Sequence, residues 1–575
     1  MKKKILPALM AGAVIVLALL IILISALVKK YTPSKEVLSL SDYYGITEEN
    51  QVAIIANYNV SESYARLADG EIYLNFDFIH STISNRFYWD ENENVLLYAT
   101  SEVLYSAEAN STNYYKDKKS VSQDKIIVKP TTEGCYVSIS FLKEFVDFTY
   151  EVFEEPQRII FLNDFKDKEI ASIKKNCKLR KEPSIKSPIV TFLSKGEEIT
   201  FLEEQDGWTK LMTANGVIGF VESKRVGDSS TVSLEHTAKE EEFSHILRNT
   251  DVCLGWHLVE SRVGSESAAN VLSSVKGINV ISPTWFKLKD AEGNVSDIAS
   301  EDYVKYCRNQ GVEVWALVSD FESEEYYGKE VLTRTSSRQY LENQLIAKAL
   351  SYNLDGINID FEKIQADFAD DFIQFIRELA IKCHKNGISL SVDSYMPASW
   401  NTHLQFEEQA LFADYVVLMG YDEHWDGSEP GSVSSLGWVK SGVETTLQKV
   451  PSNQIILAMP FYTRMWKYTP NADIEESDII DLETSYTMSS KAYTMSGISK
   501  VIGEHVNEAV WDDAVNQFYL EYKEDNCIYK VWLETLESLE GRLKVMDENN
   551  LGGCAFWRLG QEKSEVWDTI IKYTN

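Results

Sequence analysis

Beyond residue 250 the chain alternates short apolar runs with longer stretches in which apolar residues recur at helical spacing. The runs fall at 252–258, 278–288, 312–319, 356–362, 388–395, 415–421, 455–462 and 553–559. They are of strand length and mostly apolar on both faces, as strands of a parallel sheet covered by helices must be. Residues 337–353 and 366–386 predict two covering helices; in the second, Phe368, Phe372, Phe375, Ile376 and Leu379 form one stripe. Eight strand–helix units within 248–575 predict an α/β fold, a closed (β/α)8 TIM barrel with its site where the strands end. The connection from the seventh run to the eighth is too long for a simple crossover. Strand-like text at 509–513 and 516–522 predicts a small α+β insertion there, at about 467–530.

Upstream the rhythm differs. Residues 50–165 read as short alternating runs broken by turn residues, a mostly β domain with one helix near 140–145. Residues 168–227 read as five short strands closing at turns, which suits a small β barrel. Residues 31–49 and 228–247 are polar linkers. Residues 5–28 are an almost unbroken apolar run flanked by lysines at 2–4 and at 29–30. That length crosses a bilayer as a helix. Residues 1–30 are therefore expected to be an uncleaved membrane anchor, single-pass, with everything after Lys30, the predicted barrel included, extracellular; a signal cleaved after Ala26 and a secreted protein is the alternative.

One run departs from the apolar pattern. Residues 355–362 read Asp-Gly-Ile-Asn-Ile-Asp-Phe-Glu. At a two-residue period Ile357, Ile359 and Phe361 share one face, and Asn358, Asp360 and Glu362 the other. Alone, this text would suit a half-exposed strand with its polar side in water. Set between helices it belongs to a covered sheet, so the acidic side points into an enclosed space. Asp360 and Glu362 are then about 7 Å apart at Cα. Two carboxyls in a confined site do not both ionise readily, and one keeps its proton to higher pH. Glu362, nearer the mouth, is expected to give the proton a glycosidic oxygen needs before it leaves. Asp360, one step deeper, is expected to orient a group and stabilise positive charge.

This strand resembles the D-G-x-D-x-D-x-E signature of glycoside hydrolase family 18, with Asn358 in place of the middle aspartate. An amide cannot take up a proton as a carboxylate can, so the departure bears on any deep proton relay. Met419-Gly420-Tyr421-Asp422 resembles the family's Met-x-Tyr-Asp segment. Pro460-Phe461-Tyr462-Thr463-Arg464-Met465-Trp466 is similar to its Pro-x-Tyr-x-Arg-x-Trp pattern, and Trp557 closes the eighth run as the family's tryptophan does. The resemblance implies retaining, substrate-assisted cleavage of β-1,4 bonds next to N-acetylglucosamine, in peptidoglycan or chitin-like polymers, with the sugar's acetamido oxygen attacking the anomeric carbon. It implies Glu362 as general acid/base, Asp360 on the acetamido nitrogen and Tyr421 donating to the acetamido oxygen. Asn358, Met419, Asp422, Tyr462, Arg464 and Trp557 would surround the substrate. Asn358 and Ser282-Pro283-Thr284-Trp285-Phe286 lean toward the branch with spore and cell-wall hydrolases.

Arg180, Gly196, Trp208, Gly216 and Gly219 are placed as in a bacterial SH3-type domain, which implies binding of cell-wall peptide; a passive stalk is the other reading. Residues 50–165 resemble the amino-terminal domain of copper amine oxidases, without identifiable copper ligands. Two other readings of the whole stay open. One is a carbohydrate-binding protein on an inactive barrel; the other is a two-carboxylate glycosidase with Asp393 or Asp422 as nucleophile.

Composition narrows the field. A formal net charge of −32 opposes nucleic acid as partner, because phosphate binding needs a basic footprint. The seven cysteines are scattered without paired spacing, so no disulfide framework and no metal site is expected, nor any cofactor. His257 and His424, each beside a tryptophan, are read as groove or core residues.

Overall fold

The computed structural model describes residues 5–132, 134–234, 241–264, 267–320, 326–471 and 485–574. The lysines at 2–4, and parts of the second linker and of the insertion, lie outside the described residues. The chain divides into two compact units.

The first unit holds Met1–Trp89 and Ser106–Glu240. Ile5–Tyr31 is a helix whose Met10–Tyr31 portion has a mean hydropathy of 3.1 and buries none of its surface; among the described residues it is the one helix long and apolar enough to cross a membrane. Residues 31–49 are no free tether. Leu38 N–H donates to Ile189 O at 2.9 Å, and the buried Arg180 guanidinium reaches Ser34 O and Ser187 O. A short helix, Leu40–Tyr44, capped by Ser39, sets the Tyr43 and Tyr44 hydroxyls on Ile218 O and Gly216 O. Leu40, Tyr43 and Tyr44 supply apolar surface that the polar letters around them obscure.

The 50–165 region builds a seven-stranded sheet in the order Thr149–Phe153, Arg158–Leu162, Gln51–Ala56, Asn59–Ala68, Glu71–Asn75, Gly134–Ser138, Val128–Thr131. Its expected helix is Ile139–Leu142. The 168–227 region contributes a second sheet of seven strands rather than five. Lys168–Ser172 adds one, and Ser230–Val232, from the stretch read as linker, pairs antiparallel with Lys168–Ile170.

The second unit holds Asp90–Tyr105 and Glu241–Asn575. Its eight parallel strands are β1 (Val252–His257), β2 (Val280–Pro283), β3 (Glu313–Ser319), β4 (Gly356–Asp360), β5 (Ser389–Tyr395), β6 (Tyr415–Met419), β7 (Ile455–Pro460) and β8 (Gly553–Trp557). Each pairs with its neighbours, β8 with β1 and β2 with β3, so the barrel is closed. Residues alternate as the two-residue period demands. Trp256, Trp315, Leu317, Tyr415, Val417, Ile456 and Ala555 pack inside the barrel, while Ile357, Ile359 and Phe361 join the layer under the helices. Phe361 stacks on Phe375 with ring centroids 5.6 Å apart. Gly356 is required where Trp315 crosses: a Cβ there would stand 2.6 Å from the indole.

Two helices flank β4. Thr335–Tyr352 (α1) has no capping side chain of its own; Asp90 accepts from Thr335 N and Oγ1, both at 2.6 Å, and Glu93 accepts from Ser336 N at 2.9 Å. Ala369–Lys385 (α2) begins three residues later than the stripe suggested, after a 3₁₀ turn at Ala366–Phe368.

Several strands stop short of their apolar runs. The run at 278–288 splits at Pro283, which has no N–H to continue a ladder, into β2 and a separate strand, Phe286–Leu288. The seventh run ends at Pro460, and Tyr462 already begins the insertion. That insertion is a five-stranded antiparallel sheet, Tyr486–Thr494, Tyr462–Pro470, Cys527–Leu533, Gln517–Glu524 and Val510–Asp512 in spatial order, with the helix Met495–Ile502 against it. It therefore starts earlier than the expected boundary at 467. All seven cysteines are free thiols.

Candidate active site

At the carboxyl ends of the strands a cavity of about 400 Å³ opens between Trp256, Asp360, Glu362, Tyr421, Asp422 and Trp557. Asn358, two residues before Asp360 on β4, does not line it and is fully buried in the barrel interior. The Asn358 carbonyl accepts from Trp256 Nε1 (2.9 Å) and Ser282 Oγ (3.0 Å), and its amide donates to Ser391 Oγ (3.0 Å) and Asp393 Oδ1 (2.7 Å). All four hydrogen-bonding positions of the amide are thus used.

β4 ends at Asp360, so Glu362 rises on the loop beyond it rather than on the strand. The loop is fixed from below. Asp320, which follows β3, accepts from Glu362 N and Lys363 N, each at 3.2 Å. Tyr395, at the end of β5, donates to Glu362 Oε2 at 2.7 Å. Burial raises Glu362 above the usual carboxylate range and the Asp422 charge adds to it, while the Tyr395 hydrogen bond works against both. Asp360 stands much higher, through burial first and then the charges of Glu362, Asp393 and Asp320. Its carboxyl makes no hydrogen bond among the described residues. Nor does the Tyr421 hydroxyl, which lines the same cavity. Trp557 meets Trp256 edge to face at 5.8 Å and leaves its own ring on the cavity wall.

Asp360, Glu362, Met419, Tyr421, Asp422 and Trp557 thus line one cavity. The other sequence candidates stand behind it. Asn358 holds the cavity-lining Asp393, Tyr462 donates to Asp422 Oδ1 at 2.6 Å, and Arg464, on the insertion's first long strand, donates to Ser490 Oγ at 2.9 Å, which in turn donates to Asp426. His257 is a core residue, bonded through Nδ1 to Tyr303 and lowered by burial to about 4, hence neutral. His424 bonds Glu429 O outside the cavity. The sequence reading missed Asp320, Tyr395 and the pairing of Asp393 with Asn358. Their position at or just past the end of an apolar run was the one local sign, and it does not name the contacts they make. No group of acidic, histidine or cysteine side chains suited to a metal occurs among the described residues.

Burial also raises Asp320, from the ordinary 3.8 to about 6, against the two backbone N–H bonds it accepts. The folded state therefore holds a proton that the unfolded chain releases near pH 4. The stability this group adds is complete below that pH and is lost as pH rises through about 6. The loss is on the order of 3 kcal/mol. Thermal melts should show a larger fall in Tm from pH 5 to pH 8 for the wild type than for Asp320→Asn; equal falls in the two proteins would remove Asp320 as the source.

Residues 275–562 match glycosyl hydrolases family 18, and residues 175–227 match the bacterial SH3 domain. An uncharacterized glycosylase, YvbX, of Bacillus subtilis is 24% identical over 308 residues, covering 52% of this chain and 85% of that protein. The cortical fragment-lytic enzyme of Bacillus subtilis is 22% identical over 270 residues, covering 45% and 59%. The Bacillus cereus spore cortex-lytic enzyme SleL shares the fold, with a TM-score of 0.50 at 17% identity over 60% of this chain and 79% of that one. With half of its length matched, across a closed barrel whose strand ends carry the signature carboxyls, the chain belongs to glycosyl hydrolases family 18.

Proposed function

We propose that the protein cleaves β-1,4 bonds next to N-acetylglucosamine, with retention and with the substrate's acetamido oxygen as nucleophile. The observation that supports this best is the pair of open groups in the cavity: Asp360 and Tyr421 face it without hydrogen-bond partners among the described residues, beside a Glu362 that holds its proton above the usual range. An acetamido group supplies both missing partners. Its N–H donates to Asp360 and its oxygen accepts from the Tyr421 hydroxyl, which aims that oxygen at the anomeric carbon. Glu362 gives its proton to the departing oxygen and afterwards takes one from water. The indole of Trp557 offers a flat apolar face for the pyranose. Asp393 and Asp422 are engaged by Asn358 and Tyr462, which makes either a poor nucleophile.

The polymer is peptidoglycan or a chitin-like glycan, the former favoured by the cortex-lytic relatives and by the SH3 match, for which we propose contact with wall peptide. The helix Ile5–Tyr31 would hold the protein at the membrane with the barrel outside, or direct its export. Purified wall and chitin oligomers should both be offered, and new reducing ends measured. Tyr421→Phe should lower kcat on the order of a hundredfold, the effect of losing the donor that holds the acetamido oxygen in line with the anomeric carbon. Tight binding of oligomers by the wild type without any release of reducing ends would instead favour a binding protein.

A further inference from the structure

The signature strand of this chain carries an amide at Asn358, yet the inside of the barrel at that level still holds two carboxyls. β4 and β5 run parallel with Asn358 opposite Ser391 and Ile359 opposite Val392. One residue on, the same register sets Asp360 beside Asp393, on strands about 4.8 Å apart. The two-residue period turns both inward, and both line the cavity. Asp393 is held by one contact, the amide of Asn358 on Oδ1 at 2.7 Å, which leaves Oδ2 without a partner among the described residues.

We infer that Asp393 supplies, from the neighbouring strand, the second carboxyl that the signature strand lacks, and that it takes the proton of Asp360 when the substrate requires Asp360 as an anion. This rests on the proposed acetamido chemistry. The step is a proton exchange within the pair: the O–H bond of Asp360 breaks, an O–H bond forms on Asp393 Oδ2, and the total charge does not change. The negative charge is then on the carboxyl nearer the oxazolinium. Asn358 can only donate on this side, so it keeps Oδ1 of Asp393 an acceptor and directs the proton to Oδ2. Burial sets the direction of the other features, raising both carboxyls well above their ordinary range. The titratable groups around the Asp360–Asp393 pair are Glu362 on the loop beyond β4, Asp320 beyond β3, Tyr395 at the end of β5, and Tyr421 and Asp422 beyond β6. Lys287 is the one lysine on the cavity wall, and it does not figure among the charges that shift either carboxyl.

Asp393→Asn tests this cleanly, because an amide oxygen still accepts from Asn358 and only the titrating proton is lost. Two readouts are needed: kcat and KM against pH on N-acetylglucosamine oligomers, and the infrared band of protonated carboxyls at neutral pH, which requires no turnover. We expect Asp393→Asn to lose part of that band, because the neighbouring charge that helps keep the proton on Asp360 is gone, and to lower kcat on the order of a hundredfold at little change in KM, the lower end of an acid–base contribution. The exchange Asn358→Asp with Asp393→Asn should restore both. Wild-type band, kcat and pH profile in Asp393→Asn would overturn the inference, and so would an exchange that restores nothing. If the wild type shows no hydrolysis, the infrared arm alone decides the pairing, and it is the proposed function that falls.

Discussion

Glu362→Gln is expected to lower kcat on N-acetylglucosamine oligomers on the order of a thousandfold or more while leaving KM and the fold nearly unchanged. The carboxamide has the shape of the carboxyl and can still accept the Tyr395 hydroxyl, whose bond to Glu362 Oε2 is 2.7 Å, so the loop clamped by Asp320 has no reason to move. What disappears is the transferable proton. A positioned general acid contributes about a hundredfold to ten-thousandfold, and the upper part of that range applies because an alkoxide sugar leaves poorly without protonation. Reducing-end release and circular dichroism on the same preparation check the result; an unchanged rate in a folded variant removes Glu362 as the acid.

Arg338→Met is expected to destabilise the second unit by about 3–5 kcal/mol, the usual result of leaving a buried ion without its partner. Arg338 of α1 is fully buried and donates to Glu378 Oε1 of α2 through Nε and Nη2, both at 3.2 Å, and to Thr335 Oγ1 at 3.1 Å. Glu342, also fully buried, stands nearby with Lys382 Nζ at 2.8 Å, and burial followed by the Glu378 charge pushes it up to about 8. Removing the guanidinium leaves two interacting buried carboxyls, of which Glu342 alone is paired with a lysine. Arg338→Met combined with Glu378→Leu should recover most of the loss, because no charge is then orphaned. Urea unfolding of the full chain, followed through the buried tryptophans of the barrel, measures both; a single variant as stable as the wild type would contradict the account.

Much of the barrel was legible because its strands are buried on both sides and so appear as compact apolar runs. The inward set on β4 followed from the two-residue period alone, with Ile357, Ile359 and Phe361 packing outward as that period demands. Strand ends were less legible, since an apolar run continues past the last ladder bond wherever the loop also packs. Tyr462 was read as the end of β7 for this reason, although the pairing with β8 ends where Pro460 and Phe461 meet Trp557. Contacts between distant segments left no local trace. Nothing in the text around Thr335 announces that Asp90 caps its helix, and the polar letters of residues 31–49 gave no sign of the Arg180 guanidinium waiting for Ser34 O. The site itself was half legible. Motif residues were found where they stand, whereas Asp320 and Tyr395, which hold Glu362 in place, belong to no motif and become visible only when β3, β4 and β5 are set side by side.

The measurement that bears most directly on the acetamido chemistry is a comparison of initial rates on N-acetylglucosamine oligomers and on the same oligomers stripped of their acetyl groups, with the anomer of the first product read by NMR. The account predicts cleavage of the acetylated oligomers alone, with the β anomer appearing first. Equal rates on both substrates, or an α product, would contradict it.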